Sequence, residues 1–351
     1  MSHANPMMQR RTVLAGLMFI GSIAGAHSVF AAVSSPPVVR VDRFDAALDT
    51  YIARSEPIKL LSNQLDWPEG PAWDTHRSCL FFSDVAKNRI YRWDQKGGLS
   101  LYLDPAGSQD LTANADVQRA SNGLWYHPSD DTLIMCDQDS RSLQTLDLGS
   151  GVRRPLIVSY DGKKFNSPND LAVSKADIIY FTDPTAGLKS GNKSPARQLD
   201  FAGVYSYKTG GDVTLIDKTL TFPNGIALSP DERYLYVSQS DAAAPIIRRY
   251  VVAADGSVSQ GQDWFDFTPY RTAEFPGMPD GIAVANDGTL FAAGPGGVYI
   301  ISPEGKALGR IFTGLPTGNC CFGEDGKTLF ITADDTLFSV RILMAGDGLG
   351  A

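Results

Sequence analysis

The chain has 351 residues, a formal net charge of −8 and no basic run, a balance that argues against nucleic acid and anionic membrane surfaces as partners. Its hydrophobic fraction of 43% is enough for a large buried core, and an all-β unit of this length need not divide into two domains. Cys79, Cys136, Cys320 and Cys321 form no C-x-x-C pair, so burial is expected, with a vicinal disulfide between Cys320 and Cys321 the alternative.

Residues 1–31 read as an export signal. Arg10 and Arg11 precede an uncharged stretch of small and apolar side chains, residues 12–26, and Val29 and Ala31 suit the −3 and −1 positions of a signal-peptidase site. Paired arginines point to the twin-arginine route, hence to a periplasmic or secreted protein with no membrane contact once the signal is removed. A membrane anchor is the alternative, but the uncharged run falls short of the roughly 20 residues that a span needs. Removal takes away two arginines and no acid, so the formal charge goes from −8 to −10.

Residues 32–56 form a lead segment, with residues 42–53 a candidate short helix. From residue 57 to residue 342 one unit recurs. A polar residue, usually followed by glycine, opens a short apolar strand; a turn follows, then a second strand of β-branched and aromatic residues. Glu69-Gly70-Pro71-Ala72-Trp73 leads to residues 79–84, Asn122-Gly123-Leu124 to residues 132–137, and Asn169-Asp170-Leu171 to residues 178–183. Asn224-Gly225-Ile226, Asp280-Gly281-Ile282 and Asn319-Cys320-Cys321 open the remaining copies. The lead residues are 53, 47, 55, 56 and 39 positions apart, the size of a propeller blade, and they predict an all-β, six-bladed β-propeller. A β-sandwich or open solenoid fits so regular a period less well. Closing the ring requires the last blade to be completed from elsewhere, and the strand-like Pro57-Ile58-Lys59-Leu60-Leu61 is expected to pair with Leu337-Phe338-Ser339-Val340-Arg341. Residues 343–351 are left as a tail.

The innermost strand of each blade lines the central channel, so the six lead residues Glu69, Asn122, Asn169, Asn224, Asp280 and Asn319 are expected to ring one axis. Convergent carboxylates and amides are costly to bury unless a cation satisfies them. Asn-Gly and Asp-Gly are also ordinary turn formers, but Glu69 fills the same slot and glutamate is a poor one. Only His76 and His127 remain after signal removal and neither is a lead residue, so an oxygen-liganded divalent cation in the channel is preferred to a histidine-rich zinc site.

The motifs Trp67-Pro68-Glu69-Gly70-Pro71-Ala72-Trp73, Asn166-Ser167-Pro168-Asn169-Asp170-Leu171, Tyr180-Phe181-Thr182-Asp183-Pro184 and Phe222-Pro223-Asn224-Gly225-Ile226-Ala227-Leu228 resemble those of the gluconolactonase, senescence marker protein and luciferin-regenerating enzyme family. The similarity runs from about residue 41 to residue 340 and is closest to bacterial exported gluconolactonases. It implies one catalytic divalent metal on Glu69, Asn224 and Asp280, with Asn169 a fourth ligand or a substrate contact, and Asp280 as acid/base. Some members carry an arginine two residues before the Asn169 position; here that slot is Ser167.

Such a site suits metal-assisted hydrolysis of a sugar lactone, with calcium the first choice of metal and magnesium, manganese or zinc the alternatives. Asn122, Asn169 and Asn319 are expected to hydrogen-bond the sugar, and Asp183 to face the channel or to serve as a turn residue. No G-x-S-x-G elbow offers a serine nucleophile. A non-catalytic binding propeller with a structural metal, and a hydrolase for other lactones or phosphotriesters, are the competing readings. Residues 104–119 and 185–199 are long polar loops that suit a lid. Oligomeric state is not legible.

Overall fold

The structure is a computed structural model that describes residues 38–107 and 115–346, so the expected export signal at residues 1–31 and the last part of the tail lie outside the described residues. Six antiparallel sheets follow one another along the chain, five of four strands and one of five. Their innermost strands are Pro68–Asp74, Ser121–His127, Leu171–Val173, Pro223–Leu228, Ile282–Val284 and Thr317–Gly323. Every predicted copy supplies one of them, and the fold is the expected six-bladed β-propeller.

Each core is shared between neighbouring blades. Alternate residues of one strand point to opposite faces, so the run Cys79-Leu80-Phe81-Phe82 feeds two cores. Cys79 and Phe81 pack with Leu124, Tyr126 and Met135 of the second blade, while Leu80 and Phe82 pack with Cys321, Phe330 and Leu337 of the sixth. A blade buried on both faces reads as a continuous apolar run rather than an alternation. All four cysteines are free and buried, Cys320 donating its thiol to the Phe291 carbonyl at 3.2 Å.

Lys59–Ser62 pairs antiparallel with Thr336–Arg341, closing the ring as expected, and Trp73 stacks on Phe330 across that seam with centroids 5.5 Å apart. The lead segment contributes more than a short helix. Arg40–Arg43 adds a fifth strand outside Ala307–Phe312, and only Ala46–Thr50 is helical, a 3-10 turn capped by Asp45. Leu48 and Ile52 are then buried with Phe291, Phe322 and Phe338. The chain end returns to the same place, Leu343 N–H donating to the Tyr51 carbonyl at 2.7 Å.

Candidate active site at the channel mouth

The lead residues stand where the innermost strands break their ladders. Register shifts fall between Glu69 and Ala72, Ser121 and Leu124, Pro223 and Ile226, and Thr317 and Asn319. In the third and fifth blades the strand starts just beyond the lead, at Leu171 and Ile282. A bulge releases the lead side chain from the period-two alternation, so one strand presents a polar residue to the mouth and apolar residues to the cores.

The glycine after the lead is demanded by the next blade. A Cβ on Gly70 would stand 2.4 Å from the Asn122 carbonyl oxygen, one on Gly123 2.7 Å from that of Asn169, and one on Gly225 2.3 Å from that of Asp280. Of these, only Gly70 has a positive φ, +52°. The expected close turn is mostly a close approach between blades. Hydrogen bonds seal the same seams. Gly123 N–H donates to the Asn169 carbonyl at 2.7 Å, and the hydroxyls of Ser83, Thr182 and Ser238 donate to the carbonyls of Asn122, Asn224 and Asp280 in the following blade at 2.7, 2.6 and 2.7 Å. The backbones of the lead residues are therefore held by contacts between neighbouring blades.

Glu69 and Asp280 are only 5% and 7% exposed, and Asp170, at 8%, joins them. Among the described residues no lysine or arginine pairs with any of the three. Burial raises the Glu69 pKa and the Asp170 charge adds to the rise, against stabilising hydrogen bonds from Gly70 N–H, the Asn319 amide and the Trp67 indole. Burial, then the charges of Glu69 and Asp170, lifts Asp280 well above the carboxylate range. Burial also pushes Asp170 up to about 6, against hydrogen bonds from the N–H groups of Leu171 and Ile226. Crowded acids without a counter-charge are what these shifts express. Asp170 escaped the sequence reading, although its signal was present: it fills a slot that is glycine at Gly70, Gly123, Gly225 and Gly281.

The amides divide into two groups. Asn122 and Asn169 are each 6% exposed, and among the described residues neither side chain hydrogen-bonds to protein. Asn224 Nδ2 donates to Ser240 Oγ at 2.9 Å. Asn319, expected as a sugar contact, is engaged by the protein itself. Its Oδ1 accepts from Cys320 N–H at 2.8 Å, and its amide lies over Gly281 beside the carboxylates of Glu69 and Asp170, holding both down in pKa.

Asp183 takes the second of its two expected roles, that of a turn residue. It is fully buried, and its two carboxylate oxygens accept from Asn166 N–H and Ser167 N–H at 2.8 and 2.7 Å, so it anchors the loop before Asn169 instead of facing substrate. Asp84 holds Asp66 N–H and Trp67 N–H in the same way before Glu69, and Gln239 holds Thr221 N–H before Asn224. The role repeats from blade to blade, which is why it belongs to the fold. Burial pushes the Asp183 pKa up to about 7.

Ser167, which stands in the arginine slot, is buried; its hydroxyl donates to the Pro184 carbonyl and accepts from Gly187 N–H, at 2.7 and 2.8 Å. It thereby ties down the loop of residues 185–199. That loop is joined to the described end of the other long loop: Gln118 N–H donates to the Gly187 carbonyl at 2.7 Å, and Val117, Leu188 and Ala196 form a small apolar cluster. The two described histidines lie elsewhere. His76 meets the edge of Tyr126, and His127, at the far end of its strand, contacts Asp130 and Asp177.

Residues 67–335 match the family model described as the SMP-30/Gluconolactonase/LRE-like region. The chain belongs to the SMP-30/gluconolactonase family. A gluconolactonase of Zymomonas mobilis is 37% identical over 306 residues, 86% of each chain. A gluconolactonase from Xanthomonas campestris, 28% identical, superposes with a TM-score of 0.74 over 88% of this chain and 96% of its own. At 16% identity, regucalcin from Agrobacterium tumefaciens, a calcium-binding protein, shares the SMP-30/gluconolactonase fold with a TM-score of 0.64 over 84% of this chain and 95% of its own.

Proposed function

We propose that this protein is a divalent-metal-dependent lactonase that opens a gluconolactone-like sugar lactone to its aldonic acid. The observation that carries the reading is the burial of Glu69 and Asp280 at one mouth with no cationic side chain beside them and with the Asn122 and Asn169 amides unspent. Among the described residues no three His, Cys, Asp or Glu side chains form a metal-ligand group by themselves. A cation would therefore draw on amide oxygens as well, and Glu69, Asn169, Asn224 and Asp280 would hold it. An all-oxygen donor set with two anions suits calcium first, then magnesium, manganese or zinc.

When bound, the cation would polarise the lactone carbonyl and stabilise the oxyanion that forms on water attack. The chain does the rest. Asp280 would take the proton from the attacking water as the new C–O bond forms, although a carboxylate that also binds metal is a weakened base. The ring C–O bond then breaks and the departing ring oxygen takes up a proton. Asn122 would orient the sugar hydroxyls, joined by the amide N–H groups of Asn169 when its oxygen holds the cation. Because neighbouring blades hold the lead backbones, these groups need little rearrangement during the reaction.

The test is Glu69→Gln and Asp280→Asn assayed on D-glucono-1,5-lactone with each metal: loss of turnover in both, with the far-ultraviolet circular dichroism unchanged, supports the site, and full activity in both refutes it. We also propose that residues 1–31 export the protein. Replacing Arg10 and Arg11 by lysine should retain it in the cytoplasm in a cell-fractionation experiment, and unchanged export would argue against the twin-arginine route.

A further inference from the structure

We propose that Ser240 is a positioning residue that locks the Asn224 amide with its carbonyl oxygen toward the channel axis. Ser240 follows the second strand of the fourth blade, Tyr234–Gln239, and so stands at the same mouth as the lead residues. Its Oγ is 2.9 Å from Asn224 Nδ2 and 2.5 Å from the Pro279 carbonyl oxygen, immediately before Asp280. The direction of this chain is fixed by chemistry. A carbonyl only accepts, so the serine must give its one proton to Pro279. The hydroxyl then has only lone pairs left for Asn224, and the amide must present its NH2 group to them. The Asn224 oxygen is consequently left pointing the other way, into the mouth.

The consequence falls on the cation site, and in that respect the proposal rests on the metal reading given above. An asparagine amide that rotates half a turn offers hydrogens where a cation needs an oxygen. Asn122 and Asn169 have no protein partner among the described residues and remain free to turn. Asn224 is the amide whose donor is committed beforehand. Ser240 also ties this lead residue to the backbone of the next one, so the spacing between Asn224 and Asp280 is held by a side-chain bond in addition to the Ser238 hydroxyl's bond to the Asp280 carbonyl, 2.7 Å. Partners that orient a metal ligand in this way typically contribute about 10- to 100-fold in metal affinity.

Calcium titration calorimetry on the chelated wild type, Ser240→Ala and Ser240→Thr, with the metal-free melting temperature of each, tests the lock. The expected result is a dissociation constant raised about tenfold or more in Ser240→Ala and restored in Ser240→Thr, which keeps the hydroxyl. Unchanged affinity in Ser240→Ala overturns the lock, and so does an equal loss in both variants, since the hydroxyl would then not be the agent. A wild type that binds none of calcium, magnesium, manganese or zinc defeats the metal reading instead. In that case neutron diffraction from deuterated, metal-free crystals decides the orientation: deuterium on the Asn224 atom facing Ser240 upholds the lock, and a bare oxygen there overturns it.

Discussion

The two ends of the central channel are made from the same innermost strands and obey opposite rules. At the lead end, Glu69, Asp170 and Asp280 are buried together against their electrostatic interest. At the other end, Pro71, Leu124, Leu171, Ile226, Ile282 and Phe322 line a cavity of about 360 Å3 whose rim carries His127, Lys175, Asp177 and Glu232. Asp170 and Asn319 border this cavity as well as the carboxylate cluster, and so mark where one regime gives way to the other. Buried like charges destabilise a fold, and a protein retains them where function requires them. The contrast is what the proposed site rests on: the acids stand together at the lead end, and the other end is lined by apolar side chains.

The sharpest way to break this contrast is to neutralise one acid. Glu69→Gln should lower lactone turnover roughly a thousandfold, as loss of a principal electrostatic contact does, while raising the stability of the metal-free protein by about 1 kcal/mol or more. Steady-state kinetics and a metal-free denaturant titration check the two halves; a variant less stable than the wild type would mean that the carboxylates are not in conflict.

Asp183→Asn should have the opposite signature. An amide cannot accept from both Asn166 N–H and Ser167 N–H, so one buried donor is left without a partner, at a cost of about 1–3 kcal/mol. Thermal unfolding should show that loss, and turnover at saturating lactone should fall far less than in Glu69→Gln.

The pH dependence of the metal-free protein follows from Asp170 and its neighbours. Its folded pKa, about 6, lies above the unfolded value near 4, so between these limits the native state holds more protons than the unfolded chain. Stability should therefore fall as pH rises from about 4 to about 6, with Glu69 and Asp280 extending the decline in the same direction. Calcium, by replacing those protons, should flatten the slope. Chemical denaturation across this range, with chelator and with calcium, checks both signs. The smallest effect is expected at the opposite end of the channel, where His127→Gln should change kcat/KM by no more than about twofold, as surface substitutions do.

The fold was legible because each blade repeats its own grammar, and the lead residues because glycine is compulsory beside them wherever the next blade's carbonyl comes within 3 Å of the missing Cβ. Exceptions to that rule were less legible. Asp170 sits in a glycine slot and looks like a degenerate copy, whereas its carboxylate is part of the cluster. Asp183 carries the chemistry of a site residue and spends it on backbone, and Asn319 divides its amide between the Cys320 N–H and the carboxylates of Glu69 and Asp170, distinctions that depend on where the neighbouring groups lie. The strand Arg40–Arg43 has no apolar pattern to announce it, because its hydrogen bonds to Ala307–Phe312 are made by backbone. Ser240 could not have been found by type, since its proposed role is set by one donor, the Asn224 amide, and one acceptor, the Pro279 carbonyl, from separate parts of the chain.

Whether the acids at the lead end share one catalytic cation is decided by stripping the protein with chelator and following D-glucono-1,5-lactone hydrolysis by pH-stat before and after calcium, magnesium, manganese or zinc is returned. Turnover absent from the stripped protein and restored by one of these ions is the predicted result; undiminished turnover in the stripped protein would contradict the account.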